Sequence, residues 1–372
     1  MLGFCFILIF GCNREVPIVS LSGSAWGTTY SIKIVSDQHI AFEASEITSG
    51  IDSIVLDIDN QMSTYKINSE ISLFNSLSKN GAINISNGFS EVIKRSIYWS
   101  EITSGSFDIT VFPAVLNWRQ GKKDREYQDI WEPPTDLDII LEMNKIGYEK
   151  LRLTNRTLVK SVKGQMIDVN AIAKGWGVDK IFDYLVTKGV TRFMVEVGGE
   201  IRVLGLNNKG QKWKIGIDKP MYINNPGENI IGEVVKLKDQ AMATSGNYRN
   251  FLEFNGKKYS HIIDPRNGKS IFSNISSVTV VAPNCLDADV LATALNVLSY
   301  DDGLKLIDSL DGYEALWIID VGYDKEFKVE YSSGTVSYTH LRAHETREDR
   351  VCPLRREKKK WGGGGGGGGG GG

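Results

Sequence analysis

The sequence predicts an α+β fold of mainly antiparallel sheets with packed helices, and three observations carry this reading. In the first half, apolar residues recur at helical spacing, as at positions 47, 51, 54, 55 and 58. From Phe193 onward the chain changes to short apolar and β-branched runs joined by Gly and Asn, many of them near enough to be hairpin neighbours. No linker interrupts the middle of the 372 residues, and an apolar content of 41% with 24% charged residues is that of a soluble globular protein, so one large domain or two closely packed lobes are expected.

Element by element, Tyr30, Ile32 and Ile34 alternate with polar neighbours, the period-two signature of a half-buried strand. Residues 41–61 read as an amphipathic helix. Met62-Ser-Thr-Tyr65 leads to a short helix over 69–77, and a second amphipathic helix covers 90–103. Residues 104–113 read as a turn entering a loop, and 118–134, polar and ending in prolines, as an irregular surface excursion. Strands at 150–153 and 157–160 form a hairpin around Asn155, and Asn170 is placed to cap a helix over 171–187 that Gly189 closes. Further strands are expected at 193–197, 201–204, 212–217, 232–237, 251–254, 259–263, 277–281 and 315–319, with helices over 287–298 and 302–308. No internal repeat is present.

The two ends read differently from the body. Residues 2–11 are almost wholly apolar but too few to cross a bilayer as a helix, and Leu8-Ile-Phe-Gly-Cys12 resembles a lipobox. Residues 1–12 are therefore expected to be a lipoprotein-like signal peptide. A short linker over 13–23 would join the body to a lipid anchor at Cys12, on the outer face of the bacterial cytoplasmic membrane or the periplasmic side. Residues 337–372, ending in eleven glycines, read as a non-native read-through tail. That tail holds eight Lys/Arg and four Asp/Glu, so the rest carries 35 basic against 41 acidic residues, a net charge of about -6. With no basic stripe before the tail, nucleic-acid binding is excluded. Of the four cysteines only Cys285 lies in the body, so no internal disulfide is available and a small buried residue is expected there.

Two segments carry the chemistry. Asp168-Val-Asn-Ala-Ile-Ala-Lys174-Gly-Trp-Gly sets a carboxylate and a lysine beside a helix start, and Asp287-Ala-Asp289-Val-Leu-Ala-Thr293 offers hard oxygen donors on another helix. Asp289 and Thr293, four apart, share a helix face and either reach a common ion or stabilise the helix end. Gly175 and Gly177 each cost about 1 kcal/mol in a helix relative to Ala, which close approach of a ligand or close helix packing explains equally. His261, before an Asp-Pro turn, is the better of the two body histidines as a proton acceptor, His39 being the other, although a hydrogen-bonded structural histidine fits as well. Residues 196–200 and 243–248 bring flexible backbone and hydroxyls that either line a pocket or form hairpin turns. No dinucleotide fingerprint, Walker loop, zinc site or Ser-His-Asp order is present.

Taken together, Trp26-Gly-Thr28, Met62–Tyr65 with Ser69–Asn75, Gly105-Ser-Phe-Asp-Ile-Thr110, Asp168–Lys174, Glu196–Gly199, His261–Pro265 and Asp287–Thr293 resemble, in order, the motifs of the ApbE-type flavin transferases over residues 24–330. The resemblance implies a single large ApbE-like domain that moves FMN from FAD to a threonine hydroxyl of a partner protein with Mg2+ and releases AMP. The partner is commonly a subunit of an ion-pumping redox complex. It further implies that Trp26, Tyr65, Phe107, Asp108, Asp168, Lys174 and Ile263 contact FAD, and that the Ala171 carbonyl, Asp289 and Thr293 hold magnesium. His261 would act as general base toward the threonine. Trp26 stands where the family usually has methionine, and residues 117–121 depart from its glycine-rich loop. An FAD pyrophosphatase giving FMN and AMP, or a non-catalytic exported flavin-binding lipoprotein, are the other readings.

Overall fold

A computed structural model describes residues 15–36, 43–120, 131–218, 220, 231–247, 251–322 and 327–334. The expected signal peptide with Cys12, His39, Tyr248 and the expected tail lie outside the described residues. Strands β1 (Ile18–Ala25) and β2 (Thr28–Val35) pair across the two-residue turn Trp26-Gly27, where both residues have positive φ, 50° and 79°. That is hairpin-turn geometry, natural for glycine and unusual for tryptophan. The stretch read as a linker over 13–23 therefore contains most of a strand. Its outer position in the sheet leaves its residues half exposed, which blurs the alternation that marks β2.

Helices α1 (Ala44–Met62), α2 (Glu70–Ser76) and α3 (Asn87–Ile102) follow as expected, with β3 (Ala82–Asn84) between the last two. Ser69 and Ser86 cap α2 and α3 by accepting from the backbone N–H of Ser72 and Phe89. The loop expected over 104–113 and the start of the irregular excursion expected over 118–134 are corrected by the structure, while 121–130 lie outside the described residues and 131–134 form no helix or strand. A 3-10 turn at Ile109–Val111 runs directly into α4 (Phe112–Gln120), and α5 (Asp136–Met143) starts at a Thr135/Asp138 capping box. Pro113 sits in the first turn of α4, where a missing N–H is harmless. Trp118 is buried, its indole N–H donating to the Gly268 carbonyl at 2.8 Å.

The hairpin β4 (Leu151–Thr154) and β5 (Thr157–Lys160) joins β3 in a three-stranded sheet, order β3-β5-β4. Then come α6 (Asn170–Thr187), β6 (Phe193–Val197), β7 (Glu200–Leu204), β8 (Trp213–Asp218), β9 (Ile231–Leu237) and β10 (Ala241–Gly246). The strand expected over 259–263 is instead divided. β11 (Phe251–Phe254) pairs with β12 (Lys257–Ser260), and β13 (Ile263–Asp264) pairs with β14 (Lys269–Ser270), leaving His261 between two strands. The chain closes with β15 (Ile275–Ala282), α7 (Cys285–Val297), α8 (Tyr300–Asp308), β16 (Glu314–Ile319) and β17 (Lys328–Tyr331).

The centre is an eight-stranded sheet in the order β1-β2-β6-β7-β10-β15-β16-β17, antiparallel at every pair. Its two faces are both covered. Val195, Val197, Val280 and Trp317 face α6, α7 and α1, while Met194, Val203, Met242, Val281 and Ile318 face the β8–β9 hairpin through Trp213, Ile215 and Leu237. Burial on both sides explains why every residue of β15 is buried. The arrangement is the expected α+β class in a single domain. Among the described residues no helix is long and apolar enough to cross a membrane.

Helices α6 and α7 pack closely enough that a Cβ placed on Gly175 would lie 2.4 Å from the Cys285 carbonyl oxygen and 2.8 Å from the Leu286 Cα. Gly177 meets the Trp26 ring at 2.0 Å in the same sense. Of the two explanations for these glycines, close packing is the one seen. Asp179, one turn further along α6, accepts the N–H groups of Cys285 and Leu286 at 2.9 Å each and pairs with Arg202 at 2.8 Å, fixing the start of α7. We predict that Gly175→Ala lowers stability by about 1–3 kcal/mol through overpacking. At an unobstructed helical position the same change would add about 1 kcal/mol. Urea unfolding of the two proteins gives the sign.

Candidate active site

The start of α6 is irregular in a way that exposes donors. Asp168 accepts from the Asn170 backbone N–H at 2.8 Å and from its amide Nδ2 at 3.1 Å, so Asp168 braces this turn and the expected side-chain cap by Asn170 is not formed. Ala171 has non-helical dihedrals, φ -88° and ψ 16°, which turn its carbonyl out of line with the helix axis. The N–H four residues on, that of Gly175, donates to Asp289 Oδ2 at 3.0 Å. The same contact brings α7 against the first turns of α6.

Asp287 and Asp289 are two residues apart and do different work. Asp287 accepts from Arg95, Trp99 Nε1 at 2.6 Å, Tyr313 Oη at 2.9 Å and Asn284 Nδ2 at 2.7 Å. All its lone pairs serve the junction of α3, α7 and the β16 entry, so it is a structural anchor. Asp289, on the opposite side of α7, lines a cavity of about 330 Å³ together with Thr293 one turn later. Ala171, Lys174, Asp168, Phe107, Asp108, His261 and Ile263 line the same cavity.

Charge inside this cavity is concentrated. The Lys174 ammonium pairs with Glu200 and lies beside Asp289. Burial opposes its charge, but the two carboxylates outweigh burial and hold it protonated well above the usual lysine range. Glu200 is pushed up to about 7, first by burial, with Lys174 opposing and Asp289 reinforcing the shift. Asp289 is raised by burial, against the pull of Lys174 and of the Gly175 N–H. Glu200 follows the turn Gly198-Gly199, whose φ values of 63° and 108° suit glycine and aim the first side chain of β7 inward.

The wall opposite is built from the Ser106–Val111 segment and the approach to β13. Phe107 is buried, and Asp108 accepts from Thr110 N and Oγ1 at 2.7 Å each and from Tyr148 N at 2.9 Å. Burial raises the Asp108 carboxyl and these three bonds pull it back. Ile263 is buried, whereas His261 is exposed. The turn that follows is fixed by Asp264, which accepts from Arg266 N, Nε and Nη2 at 2.9 Å and from Asn267 Nδ2 at 3.0 Å.

Trp26 and Tyr65, both expected as flavin contacts, are not on this lining. Trp26 packs on Gly177 and donates its indole N–H to the Val55 carbonyl at 3.3 Å, and Tyr65 is 86% exposed where α1 leads into α2. The sequence reading missed Arg119, which lines the cavity from α4 and opposes the burial that raises the Asp168 carboxyl; Glu200, Thr244 and Ser245, from segments read as either pocket-lining or hairpin turns, line the cavity. The signal for Arg119 lay in the helical run from Phe112, hidden by Pro113.

Among the described residues no three His, Cys, Asp or Glu side chains cluster as a metal centre. A carbonyl, a hydroxyl and one carboxylate form no such cluster, yet they are hard oxygen donors of the kind Mg2+ takes when waters and phosphates complete its shell. The turned Ala171 carbonyl, the buried Asp289 carboxylate and Thr293 fit that ion.

The sequence profile of the ApbE family matches residues 26–317. An FAD:protein FMN transferase of Vibrio cholerae serotype O1 is 37% identical over 329 residues, covering 88% of this chain and 95% of the relative. One of Haemophilus influenzae is 37% identical over 302 residues, covering 80% and 85%. Among solved structures, the flavin transferase ApbE from Vibrio cholerae superposes with a TM-score of 0.75 at 36% identity, covering 87% of this chain and 99% of that one. The apbe protein from Thermotoga maritima, at 24% identity and a TM-score of 0.73, shares the fold. A match over most of the chain in sequence and in backbone makes the conclusion direct: this chain belongs to the ApbE family.

Proposed function

We propose that this chain is an FAD:protein FMN transferase that uses Mg2+ to move FMN onto a threonine hydroxyl of a partner protein and releases AMP. The observation that carries it is the meeting, in one cavity, of the turned Ala171 carbonyl, Lys174 and Asp289 from two distant stretches, with the exposed His261 on the same lining. The relatives' names supply the reaction class.

In the proposed reaction the threonine oxygen bonds to the FMN-side phosphorus of FAD. The bond from that phosphorus to the bridging oxygen breaks, and AMP leaves with the electron pair. His261 takes the threonine proton, its exposure allowing an incoming protein side chain to reach it. Lys174, held charged by its two carboxylates, offsets the negative charge that grows on the phosphate oxygens. Phe107 and Ile263 give an apolar wall for the flavin ring, and Arg119 with Asp168 gives polar anchors further along FAD. Bound magnesium supplies Lewis-acid stabilisation of the diphosphate, and Ala171, Asp289 and Thr293 would hold it. The lipobox-like Leu8–Cys12 adds export and lipid anchoring, which would bring the enzyme to acceptor subunits of ion-pumping redox complexes. Cys12→Ser should shift the protein from the membrane to the soluble fraction, and an unchanged distribution would remove the anchor.

Incubated with FAD, Mg2+ and a validated acceptor, the protein should raise the acceptor mass by one FMN less water. An unchanged acceptor with free FMN and AMP accumulating would show hydrolysis instead. Chelation by EDTA should stop transfer and added Mg2+ should restore it; transfer that persists in EDTA rejects the metal. His261→Ala should cut turnover about 10²–10⁴-fold while its melting curve stays as in the wild type. Undiminished transfer in that variant would remove His261 as the base.

A further inference from the structure

Glu200 lines the cavity and enters the reaction above only through its pairing with Lys174. Its side chain is only 4% exposed, one oxygen pairs with Lys174, and the other, Oε2, is buried with no hydrogen-bond partner among the described residues. A buried carboxylate oxygen without a donor is costly, and an ion pair through the other oxygen does not recover that cost. Gly198 and Gly199 turn the chain into β7, and burial with the Lys174 pair keeps the Glu200 side chain away from water. Whatever fills the cavity must bring the missing donor.

The charge count narrows what that donor is. Glu200 and Asp289 share the ammonium of Lys174, and with Asp108 and Asp168 the cavity lining carries four carboxylates against Lys174 and Arg119, which leaves it short of positive charge. A phosphate oxygen has no proton to give and would be repelled. A hydrated divalent cation brings both the charge and O–H donors, since Mg2+ keeps several of its waters. We propose that Glu200 is a positioning residue for that cation, accepting on Oε2 a hydrogen bond from the ion's hydration shell while its other oxygen tethers Lys174. This rests on the magnesium reading above. Partners of this kind, outside the direct ligands, change metal affinity about 10–100-fold.

The test titrates Mn2+ alone into the metal-free, FAD-free full chain and follows the electron paramagnetic resonance signal of the free ion. Wild type should bind saturably. Glu200→Gln, isosteric but uncharged, should bind about 10-fold more weakly or worse. Lys174→Met, which removes a neighbouring positive charge and keeps the carboxylate, should bind more tightly. Wild-type affinity in Glu200→Gln overturns the proposal. So does equal weakening in both variants, which would mean that Glu200 acts only through Lys174. A Glu200→Gln protein with unchanged Mn2+ affinity but weaker FAD binding in EDTA would assign Oε2 to a ligand hydroxyl and also overturn it. Should Glu200→Gln not fold, Glu200→Asp carries the test, with weakened binding expected and unchanged binding decisive against it. No saturable Mn2+ binding by wild type, matched by Asp289→Ala, would bring down the magnesium reading itself.

Discussion

The close crossing of α6 and α7 is the constraint on which the site depends. Gly175 lets the two backbones touch, and Asp179 locks the contact by accepting the first N–H groups of α7 while Arg202 neutralises it from β7. Because the crossing lies at the beginning of both helices, it sets the first turns side by side. Ala171 and Lys174 on one helix therefore meet Asp289 and Thr293 on the other, although more than a hundred residues separate them. The Gly175 N–H to Asp289 bond belongs to the packing and to the site at once.

Around that crossing the molecule separates carboxylates that hold the fold from those that face the cavity. Asp179 and Asp287 are saturated with hydrogen bonds and positive partners. Asp289 and Glu200 share one lysine between them, and burial raises both. Underpairing of these two acids, beside structural acids that are fully satisfied, is what the proposed cation would relieve.

Much of this was legible from residue patterns. The helical runs from Ile47 and from Asn170, the hairpin around Asn155 and the strands from Phe193 onward follow from periodicity, and both cavity helices were found by their polar first turns. Other places were not legible, for separate physical reasons. Pro113 reads as a stop but occupies a first helical turn, so α4 and with it Arg119 were hidden. Ala241–Gly246 has few β-branched residues and looks like a turn, yet it is the central strand between β7 and β15 because both faces of the sheet are covered around it. Trp26 carries no sign in sequence that it adopts positive φ and packs on Gly177 rather than lining the cavity. The pairing of Lys174 with Glu200 needs the tertiary crossing, and no spacing along the chain encodes it.

Cys285 sits at the first residue of α7 with no exposed surface, its carbonyl against Gly175 and its thiol raised well above the ordinary range by burial and by Asp179. Thiol reagents attack the thiolate of an accessible cysteine, so this sulfur is silent in the folded molecule. It becomes reactive only when the two helices part. The chain thereby contains a native chemical clock for local opening at its own centre, one whose ticking reports how often the cavity comes apart without any label having to be introduced.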